Sequence, residues 1–325
     1  MNGPLPELLT PAFRALSARL GQDPLQVQGP GGNTSIKSGA VMWIKASGTE
    51  LANAETANIF VAVDRTAALS EAHEIQGDGS CKSTILDPAI KLRPSIETTF
   101  HAALDHAVVA HTHSVATITH AISSEGRMVL ADKLADMPFV TVPYAKPGLP
   151  LTREILARIQ SETKIVVLQN HGLIVCGESV DAVSHLIQDV ENRLAMPPLR
   201  DKTADAASLT PEGFVWSEES WIALDPHVSD LALTGTYYPD HVVFLGPALP
   251  VRDHGGVPPA ILIKGQGILI RKDATSSQKA MLRCLSDVLA RLPAEWTVDP
   301  IGPDAEAELL NWDAEKYRQA LAEQR

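Results

Sequence analysis

Six residues, Val108 to His113 (VVAHTH), constrain this chain most. The run is apolar and β-branched enough to be a strand, and a strand sends successive side chains to opposite faces. His111 and His113 therefore share a face and form half of a tetrahedral metal site. Just ahead, RPSIETTFHAAL (93–104) reads as the entry to a helix, with the carboxylate of Glu97 near its start. Ile96, Phe100, Ala103 and Leu104 fall on one side of that helix. The chain must therefore set a buried strand against a helix and bring two imidazoles toward a carboxylate.

The surrounding sequence supplies a sheet and its covering helices. Leu9, Phe13, Leu16 and Leu20 have helical spacing over 8–20. Thr34 to Lys37 and Ala40 to Lys45 read as strands joined at Ser38-Gly39, and Ile59 to Val63 as another. The polar stretch 71–92 reads as a loop, and Val115 to Ile122 as a helix. Phe139 to Tyr144 is a further expected strand, and Thr152 is the expected N-cap of a helix through Ile159. Lys164 to Leu168 and Leu173 to Cys176 are β-branched runs separated by Gln169, Asn170, His171 and Gly172, a hairpin with His171 at its tip. Val180 to Leu194 has the spacing of a helix.

Met196-Pro197-Pro198 and the polar DKTADAAS (201–208) mark an expected linker. Beyond it, ILIKGQGILI repeats the pattern of VVLQNHGLIV, and a helix from Ser276 to Leu292 follows as one does in the first half. This reads as an internal repeat, with two unrelated hairpins as the simpler alternative. The repeat places Gln266 where His171 stands. The last twenty residues read as one acidic amphipathic helix, with Leu309, Leu310, Trp312 and Tyr317 as docking residues. The division expected is 1–196, a metal-binding catalytic domain, and 197–325, an extension with a second strand–turn–helix unit.

A net charge of −12 argues against nucleic-acid and membrane-surface partners, both polyanionic. Three scattered cysteines, Cys81, Cys176 and Cys284, are too few for a disulfide framework and suit a cytoplasmic protein. No segment is apolar for long enough to span a bilayer, and the N-terminus does not read as a signal peptide.

Singly, each histidine is a residue that burial and a hydrogen bond would satisfy. Together, His111, His113 and His171 with Glu97 offer three nitrogens and one oxygen, a set suited to zinc or another divalent transition metal. A carboxylate that can leave the metal opens a position for substrate, the plan of a catalytic site rather than a structural one. Glu97, once displaced, would be a general acid or base.

Five segments occur in order across about residues 10 to 195: GGNTSIK (31–37), IKASGTEL (44–51), RPSIE (93–97), HTHS (111–114) and QNHGLIV (169–175). Together they resemble the class II aldolase/adducin family, which includes fuculose-1-phosphate aldolase and ribulose-5-phosphate 4-epimerase. The chain length and the PSIE form look most like the aldolase portion of bifunctional rhamnulose-phosphate aldolase/dehydrogenases, although no dinucleotide-binding glycine fingerprint follows. The resemblance implies metal ligation by His111, His113 and His171, with Glu97 as fourth ligand and acid/base. It implies an anion pocket for the substrate at Asn33, Ser47, Gly48 and Ser95. Two departures stand out. Ile96 replaces a second serine, removing a hydroxyl donor, and Tyr144 or Lys146 lies near, but not at, the position of the family's catalytic tyrosine.

The expectation is therefore an α/β protein: a three-layer αβα unit with a central, mainly antiparallel sheet, plus a small C-terminal α/β extension. The expected function is metal-dependent carbon–carbon lyase, cleaving a ketose phosphate or related sugar acid by a retro-aldol reaction through a metal-bound enolate. Zn2+ is the expected metal, with Mn2+ or another divalent transition metal as alternative. The resemblance also implies a homotetramer. A 3-oxo acid decarboxylase or a sugar-phosphate epimerase could use the same site, and an adducin-like binding module is the alternative from another class.

Overall fold

The computed structural model describes residues 3–203, 210–249 and 258–324, so part of the expected linker, 204–208, lies outside the described residues. The first half runs α1 (Pro11–Gln22), β1 (Asn33–Ser38), β2 (Val41–Lys45), β3 (Phe60–Asp64), α2 (Arg65–Ala72), α3 (Thr98–Ala103), β4 (Val108–Thr112), α4 (Val115–Ala121), α5 (Ser124–Lys133), β5 (Phe139–Val142), α6 (Leu149–Leu156), β6 (Ile165–Leu168), β7 (Gly172–Gly177) and α7 (Val180–Leu194). Its seven strands form one sheet in the order β3-β2-β1-β4-β7-β6-β5. Only β5 and β6 pair in parallel.

Strand alternation builds the three layers. Val108 and Ala110 of β4 face one way and join Val167, Val175, Phe13 and Leu16 of α1, and Val183, Ile187 and Val190 of α7. Val109 faces the other way, with Val166, Ile174, Phe100 of α3 and Ile155 of α6. Met42, Ile44, Val61 and Val63 extend that second layer beneath Ala68 of α2. His111 shares the face of Val109, which puts it on the α3 side, edge-on to the Phe100 ring.

The second half contains β8 (Phe214–Trp216), α8 (Trp221–Leu224), α9 (Pro226–Thr234), α10 (Pro239–Leu245), β9 (Ala260–Ile263), β10 (Gly267–Arg271), α11 (Ser276–Arg291), α12 (Pro303–Leu310) and α13 (Asp313–Glu323). Among the described residues its three strands form a separate sheet, β8-β10-β9. The β6–β7–α7 and β9–β10–α11 units are both antiparallel hairpins followed by a helix. One apolar cluster joins the halves: Val115, Ile118 and Ile122, from α4 and its C-terminal end, pack with Tyr237, Val242, Leu285 and Leu289.

Three local expectations change. Thr152 is not an N-cap. Gly148, at φ 89, turns the chain into α6 and Pro150 fits its first turn, leaving Thr152 inside, where its Oγ1 donates to the Gly148 carbonyl. The loop 71–92 contains the end of α2 and a short helical turn at Lys82–Thr84. Buried Glu71 ties it down by accepting from the Cys81 amide and the Ser83 hydroxyl at 3.0 Å. The C-terminal helix is two helices, because Asn311 and Trp312 end α12 and α13 starts anew.

Candidate metal centre

The backbone register assembles the site. β1 pairs with β4 so that Asn33 sits opposite His111. β7 pairs on the other side of β4, with Leu173 opposite Thr112, so the β6–β7 turn hangs beside His113. Asn170 takes the left-handed conformation in that turn, at φ 54, a region asparagine tolerates. A Cβ on Gly172 would lie 2.2 Å from the Thr112 carbonyl oxygen, so only glycine lets the hairpin approach β4 this closely.

The three rings converge. Their centroids are 5.0 Å apart for His111 and His113, 4.9 Å for His111 and His171, and 5.3 Å for His113 and His171. One potential ligand atom from each lies within 4.8 Å of the others. All are buried, as is Glu97 at 4% exposure. Glu97 occupies the N-cap position of α3 yet caps nothing. Its Oε2 lies 3.5 Å from His111 Nε2 and its Oε1 3.6 Å from His171 Nε2. The expected helix-start acid thus turns away from its own helix toward the histidines.

This arrangement fits a divalent cation. His111 Nε2 and Glu97 Oε1 are buried and accept or donate no hydrogen bond, a costly state for polar atoms unless something else satisfies them. Burial lowers the pKa of His111, and lowers that of His171 well below the usual imidazole value. Both rings therefore keep a lone pair at neutral pH, as metal ligation requires. His111 directs Nδ1 at the Leu173 carbonyl, 3.0 Å away, leaving Nε2 for the cluster.

A relay holds Glu97. Asn33 Nδ2 donates to Glu97 Oε2 at 2.8 Å and to Ser95 Oγ at 3.2 Å. Ser95 Oγ also accepts from the Glu97 amide at 3.2 Å. Burial keeps His101 neutral, well below its ordinary pKa. Its Nε2 bonds to Asn33 Oδ1 and its Nδ1 to the Ser35 hydroxyl at 2.7 Å. With Nε2 as donor to Asn33 Oδ1, the amide group has one orientation that keeps its NH2 on Glu97.

Asn33, Ser47, Gly48, Ser95, Glu97, His113 and His171 all line one cavity of about 30 Å3, as does Ile96. A second cavity of about 320 Å3 shares Ser47, Ile96 and Pro147 with it and carries Lys82, Arg93 and Lys146. Its far wall is the start of α13: the Arg93 guanidinium stacks 3.9 Å from the Tyr317 ring centre, and Lys146 Nζ stands 4.7 Å over Trp312 and 3.0 Å from Glu308. Tyr144 lines neither cavity; burial raises its phenol pKa, and its hydroxyl has no partner.

Three residues of the inner cavity escaped the sequence reading. Lys45 is buried and donates to the Pro30 and Thr49 carbonyls at 2.7 Å; burial lowers its pKa to about 7. It lies inside the IKASGTEL segment, so a signal was present. Asp240 of α10 and Arg318 of α13 had none. Burial penalises the Asp240 carboxylate, but the Arg318 guanidinium and then His113 outweigh that penalty and hold it well below the usual range. Glu315, also on Arg318, is pushed up to about 7 by burial.

Residues 14–196 match the profile of the family described as Class II Aldolase and Adducin N-terminal domain. The chain is 30% identical over 174 residues to an uncharacterized oxidoreductase, YuxG, of Bacillus subtilis, covering 49% of this chain and 25% of that one. It is also 30% identical over 174 residues to the L-fuculose phosphate aldolase of Haemophilus influenzae, covering 50% of this chain and 70% of the relative. Among solved structures, the N-terminal class II aldolase domain of a conserved protein from Thermoplasma acidophilum superposes with a TM-score of 0.50 at 25% identity, over 60% of this chain and 93% of that one.

Proposed function

Because the chain belongs, over residues 14–196, to the family of class II aldolase and adducin N-terminal domains, we propose that it is a metal-dependent carbon–carbon lyase that cleaves a ketose phosphate or related sugar acid by a retro-aldol reaction. One observation carries the reading: three buried imidazoles converge beside a carboxylate, His111 Nε2 and Glu97 Oε1 make no hydrogen bond, and Glu97, His113 and His171 line a cavity there. His111, His113 and His171, with Glu97 as a displaceable fourth ligand, would hold a divalent metal, Zn2+ first and Mn2+ or another transition metal second, which when bound supplies Lewis acidity toward a carbonyl oxygen.

The chain's own residues do the rest. Glu97 takes the proton from the hydroxyl of the carbon to be released; the C–C bond breaks, that carbon leaves as an aldehyde, and the bonding pair stays on the other fragment as an enolate. The same carboxyl then returns the proton to the enolate carbon. Asn33 keeps Oε2 in place, so Oε1 is the oxygen free to move the proton. Ser47, Gly48 and Ser95 face the substrate anion in the inner cavity, and Arg93, Lys82 and Lys146 offer positive charge in the outer one. Ile96 supplies no donor between the two, which favours the single charge of a sugar acid over a phosphate. We propose that the working form is a homo-oligomer.

The test has two arms. Protein purified without chelator should hold about one transition metal per chain, as one catalytic site requires. Sugar phosphates, sugar acids and 3-oxo acids should then be screened with Zn2+ present, following aldehyde or triose phosphate against carbon dioxide. Aldehyde release that chelator abolishes supports the lyase. Carbon dioxide without aldehyde reassigns the site to decarboxylation, and inversion without released fragments to epimerisation. No metal together with no turnover leaves a binding module.

A further inference from the structure

The family match ends at residue 196, yet the metal cavity is closed by residues well beyond it. Asp240 Oδ2, on α10, lies 3.3 Å from His113 Nδ1. Arg318, on α13, grips that carboxylate with its two terminal nitrogens, Nη1 at 2.9 Å to Oδ1 and Nη2 at 3.1 Å to Oδ2. Its Nη1 also donates to Glu315, at 2.8 Å and 3.1 Å. All four side chains are buried.

We infer that the second half of the chain is part of the metal centre: Asp240 is the positioning residue for His113, and Arg318 fixes Asp240. This rests on the metal reading proposed above.

The geometry supports the role in three ways. A carboxylate at Nδ1 fixes the proton there and turns Nε2, with its lone pair, into the cluster; partners of this kind orient the ligand ring and raise its basicity. The forked grip of the guanidinium leaves the Asp240 carboxylate one orientation, which a lysine ammonium would not impose. Room for the contact comes from the first half: a Cβ on Gly31 would lie 2.8 Å from both Asp240 Oδ2 and His113 Nδ1. The glycine that opens the GGNTSIK segment thus leaves space for a carboxylate arriving from far along the chain.

A second contact anchors the turn that carries His171, without touching its ring. Its neighbour Asn170 donates through Nδ2 to the carbonyls of Tyr237 at 3.1 Å and Asp299 at 2.6 Å. Residues after 196 therefore brace the ring of His113 and the turn that carries His171.

The test is metal affinity of the full chain, measured by competition with a chromophoric chelator for Zn2+ and by the visible absorption of bound Co2+. Asp240→Asn should bind Zn2+ about 10–100-fold more weakly than wild type and shift the Co2+ bands, the range typical for losing a ligand's hydrogen-bond partner. Arg318→Lys keeps the charge, gives up the fork, and should weaken binding in the same direction by less; it also serves if Asp240→Asn fails to fold. A packing role alone would lower the melting temperature and leave affinity and spectrum unchanged, and that result for both variants overturns the inference. Wild-type protein that binds neither ion defeats the metal reading itself, and this inference with it.

Discussion

At the scale of single residues, the site turns on which atoms of Glu97 are held and which are free. Asn33 holds Oε2 while Oε1 makes no hydrogen bond, the arrangement that the proposed acid/base role would need. Glu97→Gln should retain the metal, by metal analysis, while turnover falls about 10²–10⁴-fold, the usual contribution of a positioned acid/base; unchanged turnover removes Glu97 from the mechanism. Two buried lysines give a separate, titratable signature. Burial lowers Lys37 and Lys45 to about 7 from 10.5. Between those values the unfolded chain binds more protons than the folded one, so stability rises with pH, by on the order of 1 kcal/mol per pH unit for each lysine. Above about pH 9 the sign reverses, because buried Cys81, Cys176 and Cys284 hold their protons after the unfolded thiols have lost theirs. Urea midpoints of metal-free protein should therefore climb from pH 7 to 9, and Lys37→Met should flatten the climb. The meeting of the histidines and Glu97 was legible in the sequence because those are the residue types a metal site would use, two of them at strand spacing. Asp240 and Arg318 were not, since each looks like a solvated charge until a residue 78 positions away meets it.

At the scale of elements, hairpins and long helices read well because period and turn residues agree; β6, β7 and α7 fall where the pattern put them. Short elements read poorly. α3 has six residues and α6 eight, and their ends are decided by tertiary contacts such as the Thr99–Thr152 hydroxyl pair, at 2.7 Å. The β6–β7 turn joins both kinds of information: its residues announce a turn, while its bonds to the second half are invisible in sequence. Asn170→Ala should lose about 2 kcal/mol or more in urea unfolding, because two carbonyls lose their donor and alanine resists the left-handed conformation. Asn170→Gly relieves the conformational part and should lose less. Equal losses would mean that conformation contributes nothing there.

At the scale of the whole molecule, the halves share a core through α4, and α13 roofs the site. A cavity of about 30 Å3 has room for little more than a water or two, not a sugar fragment. We propose that α13, which carries Arg318 over the inner cavity, shifts to admit substrate, so its amides should exchange with solvent faster than those of α11. Glycolohydroxamate, a chelating mimic of an enediolate, should change exchange in 313–323 and leave α11 as it was; no change in α13 would refute the gating role. The long reach of the Asp240–Arg318 and Asn170–Asp299 contacts, 78 and 129 residues, also sets an order of events during synthesis. At roughly 5–20 residues per second, Arg318 follows His171 out of the ribosome by on the order of ten seconds. Until Asp240 and Arg318 have both emerged, the nascent chain displays all four proposed ligands without the complete brace on His113. On the proposed reading, metal caught then would be loosely held and exchangeable, and durable loading would wait for α13.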